Sequence, residues 1–534
     1  MAEYSLVPPR AFVRNCRRHR KALKVIDSLG TQLTGGRLLL GALVLRRLLV
    51  RRLLAADEQY VGILLPPSAG AVLLNAALPL AGRIAVNLNY TLTAHEINYC
   101  IQQCGIRHVI TSRRMMDKLG LQIDATLVYA EDLRRQIRWT DKLAALLQAR
   151  LLPLSMLERR LGLDRLRPDD VLTVIFTSGT TSLPKGVQLT HANIASNVHA
   201  MNEVCRLDEN DALMCVLPFF HSLGYTATLW SVLMLPPRGI YHTSPLEAKQ
   251  IGQLCYDHAA TILIGTPTFL RNYLKRVPAE HFAKLDLVIA GAEKLPCDLC
   301  DAFEQKYGVR PVEGYGTTEL SPLVSVNIPA NRSPSGVAAV REGSVGRPIP
   351  GVEVRIVDPE TWADLPVGQD GMLLVRGPNV MKGYLHQPEK TAEVLRDGWY
   401  VTGDIAHVDE EGYIFITGRL SRFSKIGGEM VPHLKVEEAL QQILNPGADE
   451  LVAAVTSVND PRRGERLVVV HAPIDRSPEE ICRALKEAGL PNLYLPSPDS
   501  FIQVDAIPVL GSGKLDLRRL KQVAEQHFGE AAKK

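Results

Sequence analysis

An α/β fold is what this sequence predicts, and three observations carry the prediction. From Tyr60 onward short apolar runs alternate with helical patterns, the mark of repeated βαβ units and so of a parallel sheet with helices on its faces. Glycine and proline then punctuate short apolar runs from Gly343 to Pro350 and from Gly371 to Tyr384, which reads as a smaller β-rich part. Beyond these the chain ends in a compact mixture of helix and strand. At 534 residues it is too long for one hydrophobic core, so two or more domains are expected.

Taken in order, the basic cluster Arg14 to Lys24 is followed by Ile26-Asp27-Ser28-Leu29-Gly30, where a secretory leader would have an apolar core and a cleavage site; no signal peptide is expected. The apolar run Leu38 to Leu54 is interrupted by Arg46, Arg47, Arg51 and Arg52, so it reads as an amphipathic helix and not a spanning one. Val61 to Leu65, Ile84 to Leu88 and Arg107 to Thr111 read as strands, with helices Ala69 to Ala81 and Thr93 to Cys104 between them. From Asp132 to Leu161, leucines at helical spacing stand among Arg134, Arg135, Arg138, Arg150, Arg159 and Arg160. A basic amphipathic helix of this kind covers a core or rests on an anionic membrane. Ile194, Val198 and Met201 mark one helical face, and Thr261 to Gly265 and Leu285 to Ala290 are buried-strand patterns. Near the end, a helix Lys435 to Leu444 and strands Glu450 to Val458 and Glu465 to Val470 precede a helix opening at Ser477. Its S-P-E-E start is a capping box with proline at the first helical position.

Composition excludes little but points one way. Hydrophobic content of 46% with 22% charged residues is that of an ordinary globular enzyme. A formal charge of +4 is small for this length and gives no reason to expect nucleic acid as a partner. Nine scattered cysteines, an odd number, suggest reduced thiols and a cytoplasmic setting. Cys297 and Cys300 have CxxC spacing without a second pair, which reads as coincidence.

The chemistry centres on Thr177 to Gly186, T-S-G-T-T-S-L-P-K-G, directly after the apolar run Val171 to Phe176. Small residues let backbone N–H groups approach an anion, hydroxyls add donors, and Lys185 supplies a cation. A plain surface loop can have the same composition. The stretch is not a Walker A loop, because Pro184 precedes Lys185 and Gly186 follows it. Further motifs follow: Pro218-Phe219-Phe220-His221-Ser222-Leu223-Gly224, Gly291-Ala292-Glu293, Tyr315-Gly316-Thr317-Thr318-Glu319, Thr402-Gly403-Asp404, Gly418-Arg419 and Gly511-Ser512-Gly513-Lys514. In this order and over nearly the whole chain, they resemble the adenylate-forming superfamily of acyl-CoA synthetases, luciferases and peptide-synthetase adenylation domains.

The resemblance implies a large N-terminal domain of layered parallel sheets with a β-rich subdomain, residues 1–419, and a small mobile α+β domain, residues 420–534. It implies that ATP is held by Thr177, Ser178, Gly179, Thr180, Thr181 and Lys185 at the phosphates. Gly291, Ala292 and Glu293 would hold the adenine opposite the ring of Tyr315, with Gly316, Thr317 and Thr318 alongside, and Asp404 would bond the ribose. Arg419 and Lys425 would complete the nucleotide site at the domain junction, and Glu319 and Thr177 would carry an ATP-bound magnesium. His221 would stand beside the reacting carboxylate, and Lys514 would reach in from the small domain to bridge carboxylate and α-phosphate. Two positions depart from the pattern: Ser182 where glycine is usual, and Ser421 at the hinge where Asp or Lys is usual.

Within the superfamily, the run Arg419-Leu420-Ser421-Arg422-Phe423-Ser424-Lys425-Ile426-Gly427-Gly428-Glu429-Met430 looks most like the synthetase domain of bacterial acyl-[acyl-carrier-protein] synthetase/acylglycerophosphoethanolamine acyltransferases. That implies activation of a fatty acid and transfer to a thiol, on CoA or on the phosphopantetheine of acyl carrier protein. The acyltransferase domain often found in that group is not seen, so transfer to a lysolipid is expected to need another protein. His281 and Asp286 have the spacing of an acyltransferase pair but no companion motif, and read as chance. The alternatives are an adenylating enzyme for another carboxylic acid and a non-catalytic nucleotide-binding module. Peripheral contact with an anionic membrane is expected through Arg14 to Lys24 and Asp132 to Leu161.

Overall fold

The computed structural model describes residues 5–177, 183–426, 429–445, 451–460, 463–509 and 515–529. Its largest sheet has nine strands, ordered Arg347–Pro348, Leu323–Val326, Val312–Gly316, Leu287–Ala290, Ile262–Gly265, Ala212–Cys215, Arg238–Tyr241, Leu23–Asp27 and Gln32–Thr34. The run from Val312–Gly316 to Leu23–Asp27 is parallel throughout. A second sheet of seven strands is ordered Gly383–Tyr384, Lys185–Thr190, Val171–Thr177, Ile84–Asn87, Tyr60–Ile63, His108–Thr111 and Thr126–Tyr129. Its last five strands are parallel neighbours.

The alternating pattern read from the sequence is therefore present, with the expected strands formed as Tyr60–Ile63, Ile84–Asn87 and His108–Thr111 and the helices as Ala69–Leu80 and Ala94–Cys104. Thr93 caps the second of these helices in a full capping box with Glu96. Ile194, Val198 and Met201 are buried in the helix His191–Cys205, against the main core.

A third, antiparallel sheet joins Glu353–Val357, Gly371–Arg376, Trp399–Val408, Leu395–Arg396 and Ile414–Arg419. The fourth sheet contains only strands after residue 420, namely Phe423–Ile426, Glu429–Pro432, Ala453–Asp460, Gly464–His471 and Phe501–Gln503. Its buried apolar clusters draw every member from Ile426 onward. The helix Pro478–Glu487 opens with the expected capping box, Ser477 Oγ accepting from Glu480 N at 3.3 Å.

Two expectations are corrected. The segment Asp132 to Leu161 is not one helix but belongs to three, Ala130–Gln136, Trp139–Leu151 and Leu154–Arg160. Ile137 is extended between the first two, and Asp141 restarts the helix by accepting from Arg138 N at 3.1 Å. Pro153 ends the second, because the residue before proline, Leu152, is pushed to ψ 131°. The cluster Arg14 to Lys24 is also partly internal. Lys24 is 0% exposed, with Nζ donating to the carbonyls of Leu235, Pro236 and Pro237. Arg14 pairs with Glu158 at 2.7 Å, and Arg17 donates to the carbonyls of Gln148 and Leu152, so these residues fasten the second and third helices to the body. Among the described residues no helix is long and apolar enough to cross a membrane.

Candidate active site

The strand Val171–Thr177 turns back on itself. It pairs antiparallel with Lys185–Thr190, Thr177 opposite Lys185, so the two described ends of the phosphate-loop motif lie side by side. The strand Lys185–Thr190 pairs on its other side with Gly383–Tyr384. That register sets Lys185 Nζ over the Tyr384 ring, 4.6 Å from its centre.

Tyr384 connects this lysine to Glu319. Its hydroxyl donates to Glu319 Oε1 at 2.9 Å, and the Glu319 carbonyl accepts from Met381 N at 2.8 Å. Burial, then the Glu319 carboxylate, push the Tyr384 phenol well above its ordinary range, so it stays a donor. Glu319 owes its position to a tight reversal after the strand Val312–Gly316. At Gly316 any side chain would meet the Pro322 carbonyl, 1.9 Å from an ideal Cβ, and Thr317 N donates to that same oxygen at 3.1 Å. A single 3-10 turn, Thr318–Leu320, then places Glu319 inward at 9% exposure.

The same strand end carries Tyr315. Its hydroxyl donates to Asp404 Oδ2 at 2.5 Å, while Arg419 Nε donates to Asp404 Oδ1 at 2.7 Å across the register of the third sheet, where Asp404 faces Arg419. Charge attraction to Asp404 raises Arg419, and burial with the Asp404 charge raises Tyr315 far above its usual value. A buried, doubly bonded carboxylate of this kind suits a diol that can replace one of those donors.

The remaining motifs converge here. Ser222 Oγ lies 3.3 Å from Thr318 Oγ1, and an ideal Cβ on Gly291 would touch Leu223 and the Gly314 carbonyl at 3.6 Å. Thus the turn Pro218 to Gly224, the Gly291–Glu293 loop and the Tyr315 strand share one location. Ala292 adopts φ 69°, a left-handed conformation that costs a non-glycine residue about 1–2 kcal/mol. Glu293 faces Thr268, accepting from its hydroxyl at 2.7 Å. His221 is exposed, its ring 4.6 Å from that of Phe220, which in turn meets Tyr90 edge-on at 4.8 Å.

One polar atom in this cluster is unsatisfied: the Thr317 hydroxyl is buried without a hydrogen-bond partner among the described residues. Such a group costs about 1–3 kcal/mol, and an arriving anionic oxygen would satisfy it. The site therefore fits a nucleotide phosphate.

Two members were not found from the sequence. Tyr384 stood in a Gly-Tyr pair with no motif around it. Glu313 lies two residues before Tyr315 on the same strand and hence on the same face. Burial pushes Glu313 up to about 7, against a backbone bond at Leu295 and the charge of Lys294. The alternation Val312-Glu313-Gly314-Tyr315 was the available signal. Ser178, Gly179, Thr180, Thr181 and Lys514 lie outside the described residues, as do Ser182 and the side chains of Ser421 and Lys425.

A family model for AMP-binding enzymes matches residues 12–385. The chain belongs to that family. A long-chain-fatty-acid–CoA ligase of Bacillus subtilis is 28% identical over 507 residues, covering 88% of this chain and 86% of its own. A feruloyl-CoA synthase of Amycolatopsis is 33% identical, covering 68% of this chain and 70% of its own. The crystal structure of ATP-bound MatB from Rhodopseudomonas palustris superposes with a TM-score of 0.75 at 26% identity, over 97% of this chain and 99% of that one. The o-succinylbenzoate CoA synthetase of Bacillus subtilis, solved with its acyl-adenylate, shares the fold with a TM-score of 0.79 at 22% identity, over 96% and 98%. This AMP-binding enzyme belongs with the ATP-dependent, adenylate-forming acid–CoA ligases.

Proposed function

We propose that this AMP-binding enzyme activates a fatty acid and passes the acyl group to a thiol, on CoA or on the phosphopantetheine of acyl carrier protein. The observation that carries the choice of acid is the long-chain-fatty-acid–CoA ligase relative, which spans 88% of the chain. In the first step a carboxylate oxygen attacks the α-phosphorus of ATP and pyrophosphate leaves; in the second a thiol attacks the acyl carbon and AMP leaves. Negative charge grows on phosphate oxygens, so the chain's task is positioning and electrostatic support.

In this reading Lys185 and the hydroxyl of Thr317 receive phosphate oxygens, as do Thr177, Ser178, Gly179, Thr180, Thr181 and Thr318. Gly291, Ala292 and Glu293 with Tyr315 and Gly316 frame the adenine, and Asp404, steadied by Arg419, takes the ribose hydroxyls. Lys425 completes the nucleotide contacts. Glu319, with one oxygen fixed by Tyr384, and Thr177 would hold an ATP-bound magnesium, which supplies positive charge at the phosphates. His221 borders the carboxylate, and Lys514 supplies the cation at the reacting centre. The part from residue 420 onward acts as a mobile domain, residues 1–419 as the fixed one, and peripheral contact with anionic membrane keeps the enzyme near its apolar substrate.

The second reading, an aromatic acid as substrate, is favoured by relatives such as the 4-coumarate–CoA ligase of Narcissus pseudonarcissus, 30% identical over 76% of this chain and 73% of its own. Acid-dependent pyrophosphate exchange with a panel of fatty and hydroxycinnamic acids separates the two. Offering CoA and holo acyl carrier protein to the preformed adenylate then identifies the acceptor. Fatty acids outcompeting every aromatic acid supports the proposal, and the reverse order replaces it with the second reading.

A further inference from the structure

We propose that the helix Trp139–Leu151, with a basic cavity at its flank, is the surface by which this enzyme docks on an anionic phospholipid bilayer. The inference rests on the peripheral-membrane part of the proposed function and adds the site. Trp139, Leu143, Leu147 and Leu151 are 73, 46, 47 and 71% exposed, and they recur every four residues, so they form one apolar stripe. At 1.5 Å per residue the stripe is roughly 18 Å long. The opposite face is anchored: Asp141, Ala145, Gln148 and Ala149 are buried, and Asp141 pairs with Arg51 at 2.8 Å.

The exposed charge from residue 134 to 160 has one sign, and of the two acids just before it, Glu131 and Asp132, Asp132 pairs with Arg113 and lies 3.9 Å from Arg135. Between residues 134 and 160 the acids are Asp141 and Glu158, both buried and ion-paired, whereas Arg134, Arg135, Arg138, Lys142, Arg150, Arg159 and Arg160 are exposed. Beside the helix lies a cavity of about 340 Å³ lined by Arg17, Arg20, Lys21, Arg37 and Arg150 over an apolar floor. Arg17 is bonded to the carbonyls ending the helix, and among the described residues no carboxylate pairs with Arg20, Lys21, Arg37 or Arg150. An exposed tryptophan and leucines on one face of a basic helix suit the boundary between headgroups and acyl chains, and the cavity suits a lipid phosphate.

This surface is not the adenylation site. The strand Leu23–Asp27, on which the neighbouring helices pack, is five strand steps from Val312–Gly316, roughly 24 Å at about 4.8 Å per step. An acidic protein would answer the charges, but it would leave a continuous apolar stripe on a convex helix without a matching groove.

Three proteins test the assignment by flotation with phosphatidylglycerol and phosphatidylcholine vesicles: the full chain, the stripe variant Trp139→Ser/Leu151→Glu, and the cavity variant Arg20→Glu/Arg37→Glu. Leu246→Glu/Val367→Glu, at exposed apolar positions elsewhere, is the control. The full chain and the control should float with anionic vesicles, less so as salt rises, and both docking variants should lose binding more than tenfold while keeping pyrophosphate exchange on a soluble acid. If the full chain binds no vesicle, the membrane reading itself fails. Binding that survives in both docking variants leaves that reading intact and overturns this surface. Loss of affinity for holo acyl carrier protein with unchanged vesicle binding also overturns it, and gives the surface to a protein partner.

Discussion

The two ends of the parallel strands in the nine-stranded sheet treat their polar groups in opposite ways. At the amino ends, Asp211, Thr261 and Asp286 each precede a strand, and Arg332 closes over them. Its Nη1 and Nη2 donate to Asp211 at 3.0 and 2.7 Å, its Nε donates to Asp286 at 3.0 Å, and Thr261 Oγ1 donates to Asp211 at 2.8 Å. Burial opposes the charge on Asp211, yet the bonds from Arg332 and Thr261 hold its carboxyl below the ordinary range. Asp286 is left above that range by burial, against the pull of Arg332. At the carboxyl ends stand the left-handed Ala292, the crowded Gly316, the unsatisfied Thr317 hydroxyl and the exposed His221. One end spends its bonding capacity on itself, and the other keeps some directed outward. In open α/β sheets ligands bind beyond the carboxyl ends, and here the polar groups show why.

The largest effect expected from the proposed reaction is that of Lys514→Ala. It should lower adenylate formation by roughly 1000-fold, as removal of a transition-state contact does. Thiol transfer from supplied acyl-AMP should be retained, because the lysine is needed only where charge builds on phosphate. Equal losses in the two half-reactions, measured separately, would remove the two-conformation mechanism.

At the closed end Arg332→Met should cost about 3 kcal/mol of stability in urea, by leaving Asp211 buried and unpaired. Exchange activity per folded molecule should not change. A large fall in kcat with stability intact would erase the contrast between the ends.

Tyr384→Phe sharpens it on a smaller scale, keeping the ring under Lys185 and deleting only the bond to Glu319. The loss should be about tenfold in kcat, near 1.4 kcal/mol, with little change in KM for the acid.

The smallest effect is that of Glu313. Its carboxyl is raised in the folded state to about 7 from 4.5, so folding takes up a proton between those values. Stability therefore falls as pH rises from about 4.5 to 7 and is level above. Glu313→Gln should remove that slope and raise stability at pH 8, where the native side chain is charged. A slope that persists in the variant assigns it to another group.

These contrasts also show what could be read from the sequence. Strands and helices with strong local signals, such as Ile84–Asn87 and the Ser477 cap, are encoded by a few neighbouring residues. The continuous helix over Asp132 to Leu161 was not, because leucine spacing persists across Ile137 and Pro153 while the backbone does not. The same segment's acids, Asp141 and Glu158, are internal only because Arg51 and Arg14 arrive from far away in the chain. The spacing of His281 and Asp286 reads as chance, and Asp286 is bonded by Arg332. In the candidate site, motif residues such as Glu319, Tyr315 and Asp404 were legible one by one. Tyr384, which ties Lys185 to Glu319, was not, since its role exists only once two strands lie in register.

The measurement closest to the central claim is acid-dependent exchange of labelled pyrophosphate into ATP, run on the native enzyme and on Glu319→Gln. A fatty acid should support exchange by the native enzyme, and the substitution should reduce it by at least about 100-fold with the fold intact by urea titration. Exchange that no fatty acid supports, or that Glu319→Gln leaves undiminished, would contradict a fatty acyl-adenylate made at the carboxyl ends of these strands.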